Sequence, residues 1–217
     1  LDAVNNSAAL CGTIAEAPQF SHLGGTNGER YYSFPLEITR LSGVADRVNV
    51  VAREAEVLAL ALAREERVSV AGEIRSFNNK SGRGSRLIIT VFAREIALCA
   101  DEDSNDVRLS GVLCKDPTLR KTPMGRQICD IILAVNRRYG RSDYLPIIAW
   151  GRTAADLAEC RTGDAITLHG RIQSRKYIKT VGDSTEERTA YEISVVRLEE
   201  VRQNEVDSEV GGVVGRG

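Results

Sequence analysis

Within residues 133–151 lie Tyr139, Tyr144 and Trp150, the last the only tryptophan of the 217-residue chain, with Arg137, Arg138 and Arg141 among them. A ring's π-face stacks a base of any identity, and a nearby arginine neutralises phosphate, so this combination suits unpaired nucleic acid. A lone tryptophan on a strand is equally an ordinary packing residue, so the rest of the chain has to decide. The run Tyr144–Trp150 reads as a strand, where alternate side chains share a face. Tyr144, Ile148 and Trp150 then point one way, and Leu145, Ile147 and Ala149 point into a core.

A second strip has the same character. In Thr167–Tyr177, strand spacing puts Arg171, Gln173, Arg175 and Tyr177 on one face, with Lys176 beside them and Leu168 and Ile172 opposite. A polar, cationic strip ending in a ring is poor core and good backbone contact. Arg120, Lys121 and Arg126 flank the loop after the first strand of this half. His169, on the same face, reads as filler and not as a ligand. Any single arginine is equally a solvated surface charge; the set on one face favours phosphate.

Other chemistries find little support. There is no Gly-x-x-x-x-Gly-Lys loop and no His/Glu cluster, so no enzyme, cofactor or metal is expected. Asp116 and Asp130 form a carboxylate pair without a base or metal partner, and Gly82-Arg-Gly84 reads as a turn. The five cysteines (Cys11, Cys99, Cys114, Cys129 and Cys160) include no Cys-x-x-Cys, as expected of reduced core thiols in a cytosolic protein. No leader-like or membrane-spanning run is evident. The chain starts at Leu1 without Met, as a processed or trimmed chain would. The net charge of −1 hides an asymmetry: residues 1–104 carry −3, residues 105–203 carry +4, and residues 204–217 carry −2. The aromatic stretch sits in the basic part.

The elements that must position these residues occur twice. Leu10-Cys-Gly12 through Pro18 matches Leu109-Ser-Gly111 through Pro117 at an offset of 99 residues. Ser33–Gly43 matches Asp130–Gly140 at an offset of 97, Asp46 pairs with Asp143, and Gly72-Glu-Ile-Arg-Ser76 matches Gly170-Arg-Ile-Gln-Ser174. So long a period implies two copies of one domain, 1–100 and 106–202, joined by acidic 101–105 and followed by a flexible tail, 203–217. The second copy reads as strands at 107–115, 128–136, 144–150, 165–177 and 188–201, with a short helix at 152–160; the first copy's helix falls at 54–63. Five strands with one helix between the third and fourth is the order of an OB-fold, a five-stranded barrel. The expected fold class is all-β: two tandem OB-fold barrels with one short helix each.

The second copy resembles the bacterial single-stranded DNA-binding protein family through Gly111, Asp116-Pro117, Thr122-Pro-Met-Gly125, Leu133-Ala-Val-Asn136, Ala149-Trp-Gly151, Gly163-Asp164 and Gly170–Arg175. The whole chain is similar to the family's tandem two-OB form. The resemblance implies base stacking on Tyr139, Tyr144, Trp150 and Tyr177. It also implies a non-catalytic bacterial cytoplasmic, nucleoid-associated protein that coats unpaired DNA in replication, recombination or repair. Family members pool four OB-folds, so a homodimer is implied, with replication or repair proteins as further partners and no membrane or small-molecule substrate. The first copy departs from the pattern: Ser42, Arg47, Arg53 and Asn79 replace the four rings. It is expected to bind weakly by charge, through Arg47, Arg53, Arg75 and Lys80 with Phe77 as a partial platform, and to serve mainly in assembly. The end also departs, being short, Gly-rich and only mildly acidic where the family has an acidic tip. The competing reading, favoured by the first copy alone, is an OB-fold interaction or primosome-assembly module. The residues alone do not choose DNA over RNA.

Overall fold

The computed structural model describes residues 5–79, 87–137, 140–181 and 184–204, so the expected tail lies outside the described residues from position 205 onward. The first copy contains β1 (Asn6–Ile14), β2 (Gln19–Gly24), β3 (Glu29–Thr39), β4 (Ala45–Arg53), α1 (Glu54–Ala59), β5 (Arg67–Asn78) and β6 (Leu87–Leu98). The second contains β7 (Ser104–Leu113), β8 (Thr118–Lys121), β9 (Gln127–Asn136), β10 (Ser142–Trp150), α2 (Gly151–Ala158), β11 (Ala165–Val181) and β12 (Ser184–Arg202).

Each copy closes as a barrel with the strand order anticipated for an OB-fold. In the first, β3 pairs antiparallel with β4, β4 runs parallel to β6, β6 pairs with β5, β5 with β1, and β1 returns to β3. The second repeats this through β9, β10, β12, β11 and β7. Each copy also has a sixth, short strand, β2 or β8, that forms a hairpin with its neighbour outside the five-stranded barrel. The loop after the first strand, carrying Arg120, Lys121 and Arg126, is thus part of a hairpin. The two barrels join through β1 and β7, paired antiparallel from Asn6↔Leu109 to Cys11↔Ser104, so the twelve strands form one continuous sheet.

The repeated glycines explain the closure. β1 must leave β5 and reach β3 within one strand. A Cβ on Gly12 would run into the Glu37 carbonyl, and one on Gly111 into the Ala134 carbonyl. Only glycine lets the closing strand come so near. Inside each barrel the alternation pattern holds: Leu36, Val48, Val50, Val70, Ile74 and Val91 fill one core, and Leu133, Leu145, Ile147, Leu168, Ile172 and Ile193 the other. Each such side chain removed from water contributes about 1.5–3 kcal/mol. The helices differ in extent from expectation. α1 ends at Ala59, because Ala61 adopts a left-handed φ of 49°. α2 starts one residue early, on Gly151 at φ 58°. Cys11, Cys129 and Cys160 are buried as expected, but Cys114 is exposed, because it follows the last β7 residue and leaves the barrel wall.

A reciprocal clasp fixes one barrel on the other. Asp143, fully buried, accepts from the Ser76 backbone N–H at 2.5 Å and from Ser76 Oγ at 3.2 Å, while the Arg137 guanidinium holds it from its own barrel with Nε at 2.6 Å. The Tyr144 N–H donates to Ser76 Oγ at 3.0 Å. In mirror fashion Asp46, also fully buried, accepts from the Ser174 N–H at 2.8 Å and from Arg40 at 2.5 and 2.6 Å, and the Arg47 N–H donates to Ser174 Oγ at 3.0 Å. The repeat pairs Arg40/Arg137, Asp46/Asp143 and Ser76/Ser174 are therefore the interlock between the copies.

Candidate nucleic-acid interface

The outward face of the second barrel is laid out by β9, β10 and the end of β11. Leu145, Ile147 and Ala149 point into the core, so the pleat turns Tyr144 and Trp150 outward. Tyr144 is 56% exposed. Trp150 is half-buried, with the Arg126 guanidinium 5.0 Å above its ring. Ile148 lies on the same side but is covered. Tyr177 is half-buried, with the Arg175 guanidinium 5.9 Å from its centroid. Tyr139 and Arg138 lie outside the described residues, as does Lys80 of the first barrel. Among the cations, Lys121, Arg126 and Arg141 are exposed. Arg120 is held by Asp130 at 2.5 and 3.2 Å, and Lys176 by Glu187 at 2.8 Å. Gln173 is buried against exposed Arg171, its amide turned so that the oxygen accepts from Nε at 2.7 Å and Nη2 at 3.1 Å. Arg137 is the residue whose position differs most from the expected role: its guanidinium belongs to the buried clasp with Asp143, not to open solvent. Asp116 accepts from Thr162 at 2.8 and 2.9 Å, whereas Asp130 is engaged by Arg120. His169 donates from Nε2 to the Glu199 carboxylate at 3.0 Å beside Arg108, which holds Glu199's carboxyl down to about 2.

On the first barrel, two of the four substituted positions are occupied by ion pairs. Arg47 meets Glu37 at 3.1 Å and Glu16 at 3.5 Å, and Arg53 meets Glu56 at 2.5 Å. Arg75 pairs with Glu73, and burial together with the nearby Arg137 charge lowers its pKa. Phe77 is 45% exposed at the end of β5. Rings unassigned by the sequence gather elsewhere on this face: His22 of β2 stacks on Tyr31 of β3 at 5.0 Å and 12°, and Tyr31 meets Phe92 of β6 at 5.2 Å.

A family match falls on the barrel that carries the outward rings. The Single-strand binding protein family matches residues 104–201. Single-stranded DNA-binding protein B of Bacillus subtilis (strain 168) is 39% identical over 80 residues, covering 34% of this chain and 71% of that protein. The chain belongs to the single-strand binding protein family. The single-stranded DNA-binding protein of Thermus thermophilus is 36% identical over 99 residues, which are 44% of this chain and 36% of the relative. The wild-type single-stranded DNA binding protein of Thermus aquaticus has the same fold across 97% of this chain and 98% of its own, with a TM-score of 0.72 at 24% identity.

This member of the single-strand binding protein family holds one face residue that sequence patterning passed over. Glu192 of β12 lies amid Arg175, Asp130, Arg120 and Arg40, and burial pushes its carboxyl up from the ordinary range. The signal was present: Ile193 opposite Ile147 is core, so its neighbour Glu192 must face outward. Among the described residues no group of three or more His, Cys, Asp or Glu could hold a metal ion, and no helix is long and apolar enough to cross a membrane.

Proposed function

We propose that this protein binds and protects single-stranded DNA through the outward face of its second barrel, in keeping with the single-stranded DNA-binding proteins it resembles. The carrying observation is the pair of outward rings on β10, Tyr144 and Trp150, with Arg126 above the latter. Bases stack on Tyr144, Trp150 and Tyr177, with Tyr139 as the fourth platform. Phosphates meet Lys121, Arg126, Arg141, Arg171 and Arg175, with Arg120 and Lys176 at the margins and Arg138 as a further contact. Arg137 acts from within the clasp, positioning the β9–β10 connection. What the face offers is ring surface and positive charge, so the role is binding without catalysis. We further propose that each barrel is a domain, that two chains pair to present four barrels, and that the protein works on DNA in the bacterial cytoplasm with replication or repair proteins.

Trp150 makes the test direct, because one ring gives all the tryptophan emission. Titration with oligo-dT should quench that emission to saturation. The midpoint should move to higher concentration with added salt, as counterion release requires. Trp150→Ala should weaken binding about 5- to 150-fold, the equivalent of about 1–3 kcal/mol for a stacked base. Unchanged emission together with no binding by anisotropy of labelled DNA refutes the proposal and leaves an assembly module. Light scattering of the free chain tests the dimer.

A further inference from the structure

Building on that reading, we propose that the first barrel is a second base-stacking site, built from His22, Tyr31 and Phe92 together with Phe77, at positions other than the four the family resemblance picks out. Its lining leaves one continuous path for an unpaired strand from the first barrel to the second.

The rings form a row. His22 lies flat on Tyr31, Tyr31 leans on Phe92, and the Arg75 guanidinium stands 6.0 Å from the Phe92 centroid. Outward packing between rings is an adequate structural reason for such a row, but three further observations point to a ligand. His22, Phe92 and Phe77 line an open groove of about 700 Å³, so their faces border solvent and not another layer of protein. Thr90 Oγ1, on the floor of that groove, is buried to 7% exposure and has no hydrogen-bond partner. A buried hydroxyl without a partner carries its full desolvation penalty, which a base edge or phosphate oxygen would relieve. Charge also favours this barrel at the centre of the face. The register that sets Ile147 opposite Ile193 and Val50 opposite Val91 places Thr90 where the second barrel has the carboxylate of Glu192.

The path between the barrels is built from the clasp. Phe77 lies one residue beyond Ser76, and Arg137 of the second barrel sits 5.8 Å from its ring. Ser76 Oγ in turn accepts from the Tyr144 N–H, so Phe77 and the Tyr144 platform flank one short junction. At the opposite end, Ser33 and Asn49 line both this groove and a second one of about 810 Å³, bordered by Arg47 with its partners Glu16 and Glu37, by Lys176 with its partner Glu187, and by Arg175 and Tyr191 of the β11–β12 hairpin. Stacking rings spaced along an open groove with arginines at intervals accept any sequence, which fits an unpaired strand and no compact ligand.

The unaltered chain, the variants Phe92→Leu/His22→Leu, Trp150→Ala/Tyr144→Ala and Arg75→Gln, and the combination of the four ring changes would be titrated against labelled oligo-dT of a short and a long length, with thermal melts of each. Leucine keeps apolar bulk on β2 and β6 while removing the π-faces. The expected result is that Phe92→Leu/His22→Leu weakens binding of the long oligomer about tenfold or more, shortens the length of DNA occluded per chain, and abolishes what binding survives Trp150→Ala/Tyr144→Ala, with melts unchanged. Photo-crosslinking of halogenated oligo-dU to Tyr31 in the intact chain would support the site even if the leucine variants fold poorly. Full affinity and full occluded length in Phe92→Leu/His22→Leu overturn it, as does affinity lost only on Arg75→Gln, which would make the first barrel a purely electrostatic surface. If the unaltered chain fails to bind oligo-dT at all, the reading of the second barrel falls as well, an outcome distinct from either of these.

Discussion

Removing one carboxylate from the clasp should unfasten the two barrels. Asp143→Ala deletes an acceptor that is fully buried and shared by Arg137, the Ser76 N–H and Ser76 Oγ. Arg137, with only 19% of its side chain exposed, would be left as a largely desolvated cation, and the Ser76 N–H would lose its partner. Breaking a buried charge pair from one side destabilises by about 3–5 kcal/mol. In a chain of this size 1 kcal/mol moves the melting midpoint by roughly 2–4 °C, so a drop of about 6–20 °C is expected. Asp46→Ala should match it, because Arg40 and Ser174 surround Asp46 in the same way. Ser76→Ala, which leaves the backbone N–H and the ion pair, should cost about 1 kcal/mol. Urea unfolding followed by circular dichroism measures all three. A loss below about 1 kcal/mol for Asp143→Ala would refute the clasp, since no relaxation short of opening the seam rehydrates Arg137.

Other expectations follow from single positions. Gly111→Ala should destabilise by several kcal/mol, because the added methyl meets the Ala134 carbonyl across the closing strand; a melt indistinguishable from the parent's would contradict that account. Glu192 carries a raised pKa from burial on the binding face, so oligo-dT affinity should rise as pH falls toward 5, and Glu192→Gln should bind more tightly at pH 7 with a flatter pH profile. Because its folded pKa exceeds the unfolded one, the native state holds more protons in that window, and its contribution to stability should fall as pH rises from 4.5 through the folded value. Glu199 behaves oppositely: its carboxyl, held near 2 by Arg108, contributes stability above its ordinary range that is lost as pH falls toward 2. Thiol alkylation at pH 8, read by mass spectrometry, should mark exposed Cys114 first; Cys11 and Cys129, both buried and pushed up to about 11, should react far more slowly.

Much of this protein was written locally. Strand alternation placed Leu145, Ile147 and Ala149 inside and Tyr144 and Trp150 outside, because a pleat with period two leaves no other choice once one side is core. The repeat announced two copies of one barrel, and the glycines at 12 and 111 marked the closing strand, since only glycine tolerates that approach. Pairings between residues far apart in the chain were decided by tertiary structure. Arg137 looked like a phosphate contact because it neighbours Tyr139, yet Asp143 and Ser76 claim it, the latter 61 residues away along the chain. His22, Tyr31 and Phe92 stand out in no local pattern, and become a row of rings only when the barrel brings β2, β3 and β6 together around β4. Periodicity reports which way a side chain points relative to its own strand. Which charge neutralises it, and which ring it meets, depends on how the barrel closes and on how one barrel seats against the other.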